Sequence, residues 1–236
     1  MDETFLRTES LIGADGVARL QNASVAVFGI GGVGSYAAEA LCRSGVGTLH
    51  LFDGDRVAQS NLNRQLIATV QTVGQPKTAA AYQRLISINP QIKVIEHFTF
   101  VTPETPIDFD RFDYIIDAVD NVTVKLFLIE MAREKGIPLI SVMGTGNKMD
   151  PTRLKVSDIA DTSICPLARV MRKELKKRGI EHQQVIWSDE KPLIPADLNG
   201  HRQTGRPNPG SMAMVPGTAG LIAAAQAVET LLYQPK

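Results

Sequence analysis

The feature that most restricts this chain is the glycine cluster Gly29-Ile30-Gly31-Gly32-Val33-Gly34, set at the end of the apolar, β-branched run Ser24 to Gly29. That run reads as a buried parallel strand. After the cluster, Ser35 to Ser44 places Ala37 and Leu41 at helical spacing and stops at Gly45. Thr48 to Phe52 then reads as a second strand ending at Asp53. Strand, glycine turn, helix and strand within about 30 residues make one βαβ unit. A Gly-x-Gly-x-x-Gly turn in that place lets backbone approach a phosphate closely. The helix N-terminus behind it offers free N–H groups and partial positive charge. Gly29, Gly31, Gly32 and Gly34 are therefore candidate nucleotide-binding residues. Asp53, at the end of the second strand, is placed to accept hydrogen bonds from both ribose hydroxyls. The competing structural readings are a tight turn that binds nothing and, for Asp53, a helix or turn cap.

The alternation continues. The pattern predicts a helix over Thr78 to Ile88, a strand over Lys93 to Phe100, and a buried strand over Tyr114 to Asp117. A helix over Val122 to Lys135 and a strand over Pro138 to Val142 follow. Strands alternating with helices give an α/β fold, a Rossmann-like, doubly wound, mostly parallel sheet. Past Asp150-Pro151 the pattern changes to a strand/helix extension: strands over Leu154 to Ile159 and Gln183 to Trp187 around a basic helix over Pro166 to Arg178. Lys191 to Gly210, rich in Pro, Gly and Asn, reads as a mobile loop. Thr218 to Tyr233 reads as a helix apolar on nearly every side, buried in the core or in a subunit interface.

Bulk composition narrows the class. The 236 residues are 44% apolar, enough for one sizeable core, and carry zero net charge, so any nucleic-acid contact needs a local patch. Two cysteines, Cys42 and Cys165, cannot make a four-cysteine zinc site or a disulfide framework, which fits the cytoplasm. No run of about 18 apolar residues is present, so no membrane span is expected.

The glycine turn and Asp53 would serve NAD as well as ATP. A dinucleotide pyrophosphate carries about two charges and one helix terminus can hold it. A triphosphate carries about four and calls for additional cations. Arg64, in Ser60-Asn61-Leu62-Asn63-Arg64-Gln65, and Lys77, after Gly74-Gln75-Pro76, can supply them. Taken singly, each is more often a solvated surface residue. Asp117-Ala118-Val119-Asp120-Asn121 ends a strand, where ligands of open α/β sheets sit. Asp120 is the candidate Mg²⁺ ligand against phosphate oxygens, with Asp117 in a capping or structural role.

GIGGVG, FDGDRVAQSNLNRQ, VGQPK and DAVDN, in this order over about residues 5 to 145, together resemble the adenylating domain of the E1-like superfamily. The resemblance implies an ATP-using enzyme that joins a carboxylate to AMP, with Gly32, Asp53, Asn61, Arg64, Lys77 and Asp120 contacting ATP or its metal. Asp55, Gln65 and Asn121 complete the candidate nucleotide set. Phe5-Leu6-Arg7, ahead of Gly13, is similar to the family's N-terminal Arg-Gln segment, although Thr8 replaces the usual Gln. This implies that Arg7 reaches the phosphates of a partner subunit, in a homodimer. Arg7, Arg64, Lys77 and Asp120 are the candidate catalytic residues.

The second half, GTGNKMDPTRLKVSDIADTSICPLARVMRKELKKRGI, resembles the tRNA threonylcarbamoyladenosine dehydratase branch. It lacks the two Cys-x-x-Cys zinc pairs usual in activators of sulfur-carrier proteins. The resemblance implies one E1-like domain over 1–236, with 5–145 the ATP-binding core and 146–236 a substrate-binding and dimerisation extension. It further implies ATP and Mg²⁺, with Na⁺ or K⁺ as an additional ion, a tRNA substrate, and a sulfur-transfer protein as an additional partner. The residues themselves place neither that ion nor that partner. The alternative is an activator of the C-terminus of a sulfur-carrier or ubiquitin-like protein, which needs an accessible cysteine. Cys165, before Pro166 near a helix start, is the better placed of the two. An NAD-dependent oxidoreductase is the third reading.

The basic helix supplies the local patch. Arg169, Arg172, Lys173 and Lys176 share one face at 100° per residue. They are the candidate tRNA contacts, gripping backbone phosphates without base specificity; a solvated helix face is the bland alternative. Arg206 and His201, in the 191–210 loop, are placed to close over a splayed-out adenosine.

Overall fold

A computed structural model describes residues 3–194 and 209–233. Its strands are β1 (Ser24–Phe28), β2 (Thr48–Phe52), β3 (Lys93–His97), β4 (Tyr114–Asp117), β5 (Leu139–Val142), β6 (Leu154–Asp158) and β7 (Gln184–Ser188). Its helices are α1 (Leu6–Gln21), α2 (Gly34–Ser44), α3 (Lys77–Ile88), α4 (Val122–Lys135), α5 (Pro166–Lys177) and α6 (Met214–Tyr233).

The strands form one seven-stranded sheet in the order β3-β2-β1-β4-β5-β7-β6. All neighbours are parallel except the edge pair of β6 with β7. Strand alternation sorts the core into two layers. Val25 and Val27 of β1 face the layer built with α2, α3 and α6, whereas Ala26 and Phe28 face the layer built with α4 and α5. The sheet order reverses between β1 and β4. This is the switch point at which open α/β sheets leave a crevice at their carboxyl ends.

The predicted stops hold where glycine takes a left-handed conformation: Gly45 closes α2 at φ 97° and Gly136 closes α4 at φ 68°. Three differences are informative. The strand predicted to Phe100 ends at His97. Its partner β2 stops at Phe52, opposite His97, and the chain turns away at Gly54, leaving Phe98 and Phe100 exposed. Helix α1 was not predicted; its apolar residues Val17 and Leu20 are buried, but Gly13, at φ 75°, breaks its periodicity. Helix α6 begins four residues early, because Pro216 is tolerated in a first helical turn.

Helix α6 bears on the expectation that nothing spans a membrane. By length and composition it could cross one, yet half of it is buried in this fold, as a core helix would be. It packs on α2, and along that seam lies an apolar groove of about 370 Å³ lined by Ala40 of α2 and by Leu221, Ala225, Val228 and Tyr233 of α6.

Candidate active site

The glycine turn joins β1 to α2 at the switch point. Gly29 has φ 87°, and a side chain there would press on the carbonyl of Ala118, 2.8 Å away. At Gly34 a side chain would collide with the carbonyl of Gly29. Glycine thus lets the turn fold flat against the loop that follows β4. In the first turn of α2 the Ser35 N–H donates to the Gly31 carbonyl and the Ala37 N–H to the Val33 carbonyl, so what the helix N-terminus offers an anion is chiefly its partial positive charge.

Asp53 stands beside this turn. One carboxylate oxygen accepts from the Ile30 N–H at 2.7 Å, the other from the Asp55 N–H at 2.8 Å. The cap reading and the ligand reading are therefore compatible, since each oxygen keeps a lone pair. Burial holds the Asp53 carboxyl above the usual carboxylate range, opposed by the Lys77 ammonium and the two N–H bonds. Lys77 is buried, with Nζ 2.7 Å from Asp55 and 3.8 Å from Asp53. Asp55 is exposed on its other side, so this pair is weakly held and free to exchange Asp55 for a phosphate oxygen.

The 60–65 segment closes the site. The Asn61 side-chain Oδ1 accepts from the Ala58 N–H at 3.0 Å, so part of this candidate ligand is spent on shaping its own turn. Arg64 donates to the Ser60 carbonyl at 2.7 Å and to Asn63. Gln65 is buried against Gly31 with its Oε1 unpartnered. An amide oxygen buried without a partner is costly and calls for an N–H or O–H donor; only the Nε2 end of Gln65 can donate to a phosphate. Ser35 ties the two loops together: its hydroxyl donates to the Gly31 carbonyl and accepts from the Leu66 N–H. Sequence reasoning passed over Ser35, since one serine behind a glycine motif carries no distinctive pattern.

Across the crevice, Asp120 is exposed and Asn121 caps α4 by accepting from the Val124 N–H at 3.2 Å. Asp117 is fully buried in an ion pair with Lys125, which matches the structural role expected of it. The structure thus gathers Gly29, Gly31, Gly32, Gly34, Asp53, Asp55, Asn61, Arg64, Gln65 and Lys77 around the turn. Ala118 brings the Asp120–Asn121 loop against it.

A comparison with protein families matches the ThiF family over residues 6–236. The chain belongs to the ThiF family. A Bacillus subtilis relative named tRNA threonylcarbamoyladenosine dehydratase is 44% identical over 97% of this chain and 94% of its own length. The solved Escherichia coli tRNA N6-threonylcarbamoyladenosine dehydratase in complex with ATP superposes with a TM-score of 0.88 at 34% identity, covering 98% of this chain and 94% of that one. The same Escherichia coli enzyme in complex with AMP gives 0.87.

Other expected residues stand apart from the crevice. Arg7 is exposed in the first turn of α1, a helix packed against α6, and is not among the residues hydrogen-bonded around the glycine turn. On α5, Arg169, Lys173 and Lys176 are exposed. Arg172 departs from the expectation of a free cation: it is half-buried and donates to the Thr162 carbonyl at 2.6 Å and to the Thr162 hydroxyl. It therefore anchors the approach to α5. His201 and Arg206 lie outside the described residues. Cys42 and Cys165 are both buried, and burial pushes the Cys42 thiol up to about 11. The reactive role considered for Cys165 needs an exposed thiolate, which this fold does not present.

Asn147 is another residue that sequence reading missed. It is left-handed at φ 59°; its N–H donates to the Gly210 carbonyl, its carbonyl accepts from the Leu193 N–H, and its Oδ1 accepts from the Gly210 N–H. One strained asparagine thus pins residues 193 and 210 beside the end of β5.

Proposed function

We propose that this chain is an ATP-dependent tRNA threonylcarbamoyladenosine dehydratase. The observation that carries the reading is near full-length identity of 44% to the Bacillus subtilis enzyme of that name. The carboxylate of the modified adenosine attacks the α-phosphorus of ATP, forming an acyl–phosphate bond and expelling pyrophosphate. A ureido nitrogen or hydroxyl of the same side chain then attacks the carbonyl and expels AMP, with net loss of water. Intramolecular attack needs positioning more than a strong base. The chain's task is to orient ATP and neutralise charge: Asp53 on the ribose, the α2 N-terminus, Gln65, Arg64 and Lys77 on the phosphates.

Among the described residues no group of three or more His, Cys, Asp or Glu could hold a metal. Mg²⁺ on a nucleotide takes one or two carboxylates and completes its shell with phosphate and water, and the exposed Asp120 just past the end of β4 offers one such carboxylate. Asp120 would hold it, and when bound it supplies neutralisation of phosphate charge. We assign residues 5–145 to the nucleotide and 146–236 to substrate and dimer contacts. Arg169, Lys173 and Lys176 grip tRNA phosphates. The apolar groove on α6 supports a homodimer in which Arg7 serves the partner's site. A cytoplasmic location is part of this reading; two free buried cysteines and a tRNA substrate support it. The buried thiols also favour this reading over transfer of an activated protein to a cysteine.

Pyrophosphate release by purified protein tests the reading, with threonylcarbamoylated tRNA, unmodified tRNA and a small sulfur-carrier protein compared. Release only with the modified tRNA is expected. Release with the small protein alone would overturn the reading in favour of an activator of protein C-termini.

A further inference from the structure

Beneath the crevice lies a charge pair that nothing above assigns to the reaction. Lys125 and Asp117 are both fully buried, with Lys125 Nζ 3.0 Å from Asp117 Oδ2. The same ammonium donates to the Val142 carbonyl at 2.8 Å and contacts the Ser141 hydroxyl at 3.2 Å. Ser141 in turn donates to Asp117 Oδ2 at 2.5 Å. Asp117 Oδ1 accepts from the Val119 N–H at 3.3 Å. One ammonium in the first turn of α4 therefore ties the carboxyl end of β4 to that of β5. It holds from below the loop 118–121, whose upper side rests on Gly29.

A buried ion pair is a poor device for stability alone, because desolvation offsets its attraction; its worth lies in fixing geometry. We propose that Lys125, through Asp117, is a positioning residue for adenylation. It sets the height of the 118–121 loop, and with it Asp120 and Asn121, against the glycine turn. The inference rests on the proposed ATP-dependent reaction and extends it to a residue that touches no substrate.

The double variant Lys125→Met/Asp117→Asn removes both charges together and leaves neither unpaired, the replacement that folds tolerate best. Ser141→Ala removes a single hydroxyl from the same network. Each variant and the wild type are assayed for tRNA-dependent pyrophosphate release against ATP concentration, with thermal melting run alongside. The expected result is a kcat reduced at least about tenfold in the double variant and several-fold in Ser141→Ala. The KM for ATP stays within about threefold, because Asp53, Lys77 and the glycine turn are untouched. A kcat equal to wild type in Ser141→Ala, or in the folded double variant, overturns the proposal. If the double variant does not fold, Ser141→Ala decides alone. Absence of release by the wild type itself would fall on the reaction, not on Lys125.

Discussion

In the proposed reaction, Lys77 and Asp53 are one buried cation and one largely buried carboxylate held 3.8 Å apart for a nucleotide. Lys77 rests on Asp55, whose carboxylate is exposed enough to leave when a phosphate competes. Lys77→Ala is expected to lower adenylation at least about tenfold, on the order of 1.5–3 kcal/mol for a charge-assisted bond. Asp53→Ala should raise the KM for ATP; unchanged kinetics in both folded variants would remove this crevice from ATP binding. A second residue-scale expectation concerns acid stability. Burial, with His97 and Arg111 beside it, pushes His50 from 6.5 down to about 4. Between those values the unfolded chain binds more protons than the folded one. The stability from His50 is therefore fully present above about pH 6.5 and is lost as the pH falls toward 4. His50→Phe should flatten that limb of the melting temperature against pH; an unaltered slope would assign the acid loss to other groups.

At the scale of elements, α5 is the one whose function depends on which of its cations are engaged. Lys177 and Arg178 pair with Glu174, Arg178 also reaches Glu130 on α4, and Arg172 is bound to Thr162. Helical geometry puts Arg169, Lys173 and Lys176 on one exposed stripe. The variant suited to test tRNA contact is therefore Arg169→Glu/Lys173→Glu/Lys176→Glu, which spares the Arg172 anchor. It should bind tRNA more weakly, with a salt dependence shallower by about one unit per lost phosphate contact, and bind ATP normally. Wild-type tRNA affinity would leave α5 as a solvated face. The loop after β4 is tied at both ends of its length: Asn121 caps α4 through the Val124 N–H, and Lys125 of α4 bonds the Val142 carbonyl of β5.

For the whole molecule, the sheet order places the crevice between β1 and β4, and α6 presents its groove on the layer built with α2. If Arg7 acts in a partner's site, mixing inactive Lys77→Ala with inactive Arg7→Ala protein should restore part of the activity. Some heterodimers then carry one intact site. No recovery between subunits shown to exchange would place Arg7 outside the site.

The fold class was legible in the residues, because a glycine turn between a strand and a helix admits few backbones and the strand–helix alternation dictates a parallel sheet; the family was legible only through the resemblance carried by GIGGVG, FDGDRVAQSNLNRQ, VGQPK and DAVDN. Helix limits were legible wherever glycine ends them, as at Gly45 and Gly136. Helix α1 was not, because Gly13 interrupts the spacing on which such a reading depends. The end of β3 was not, because a strand stops where its partner stops, and that is a fact about β2. The same holds for charges. Sequence alone marks Arg172 and Lys125 as cations on helices; only the packing decides that one is bound to Thr162 and the other is sealed beneath the crevice. Local chemistry is written along the chain, whereas burial and partnership are properties of segments distant in sequence that meet only when the sheet closes.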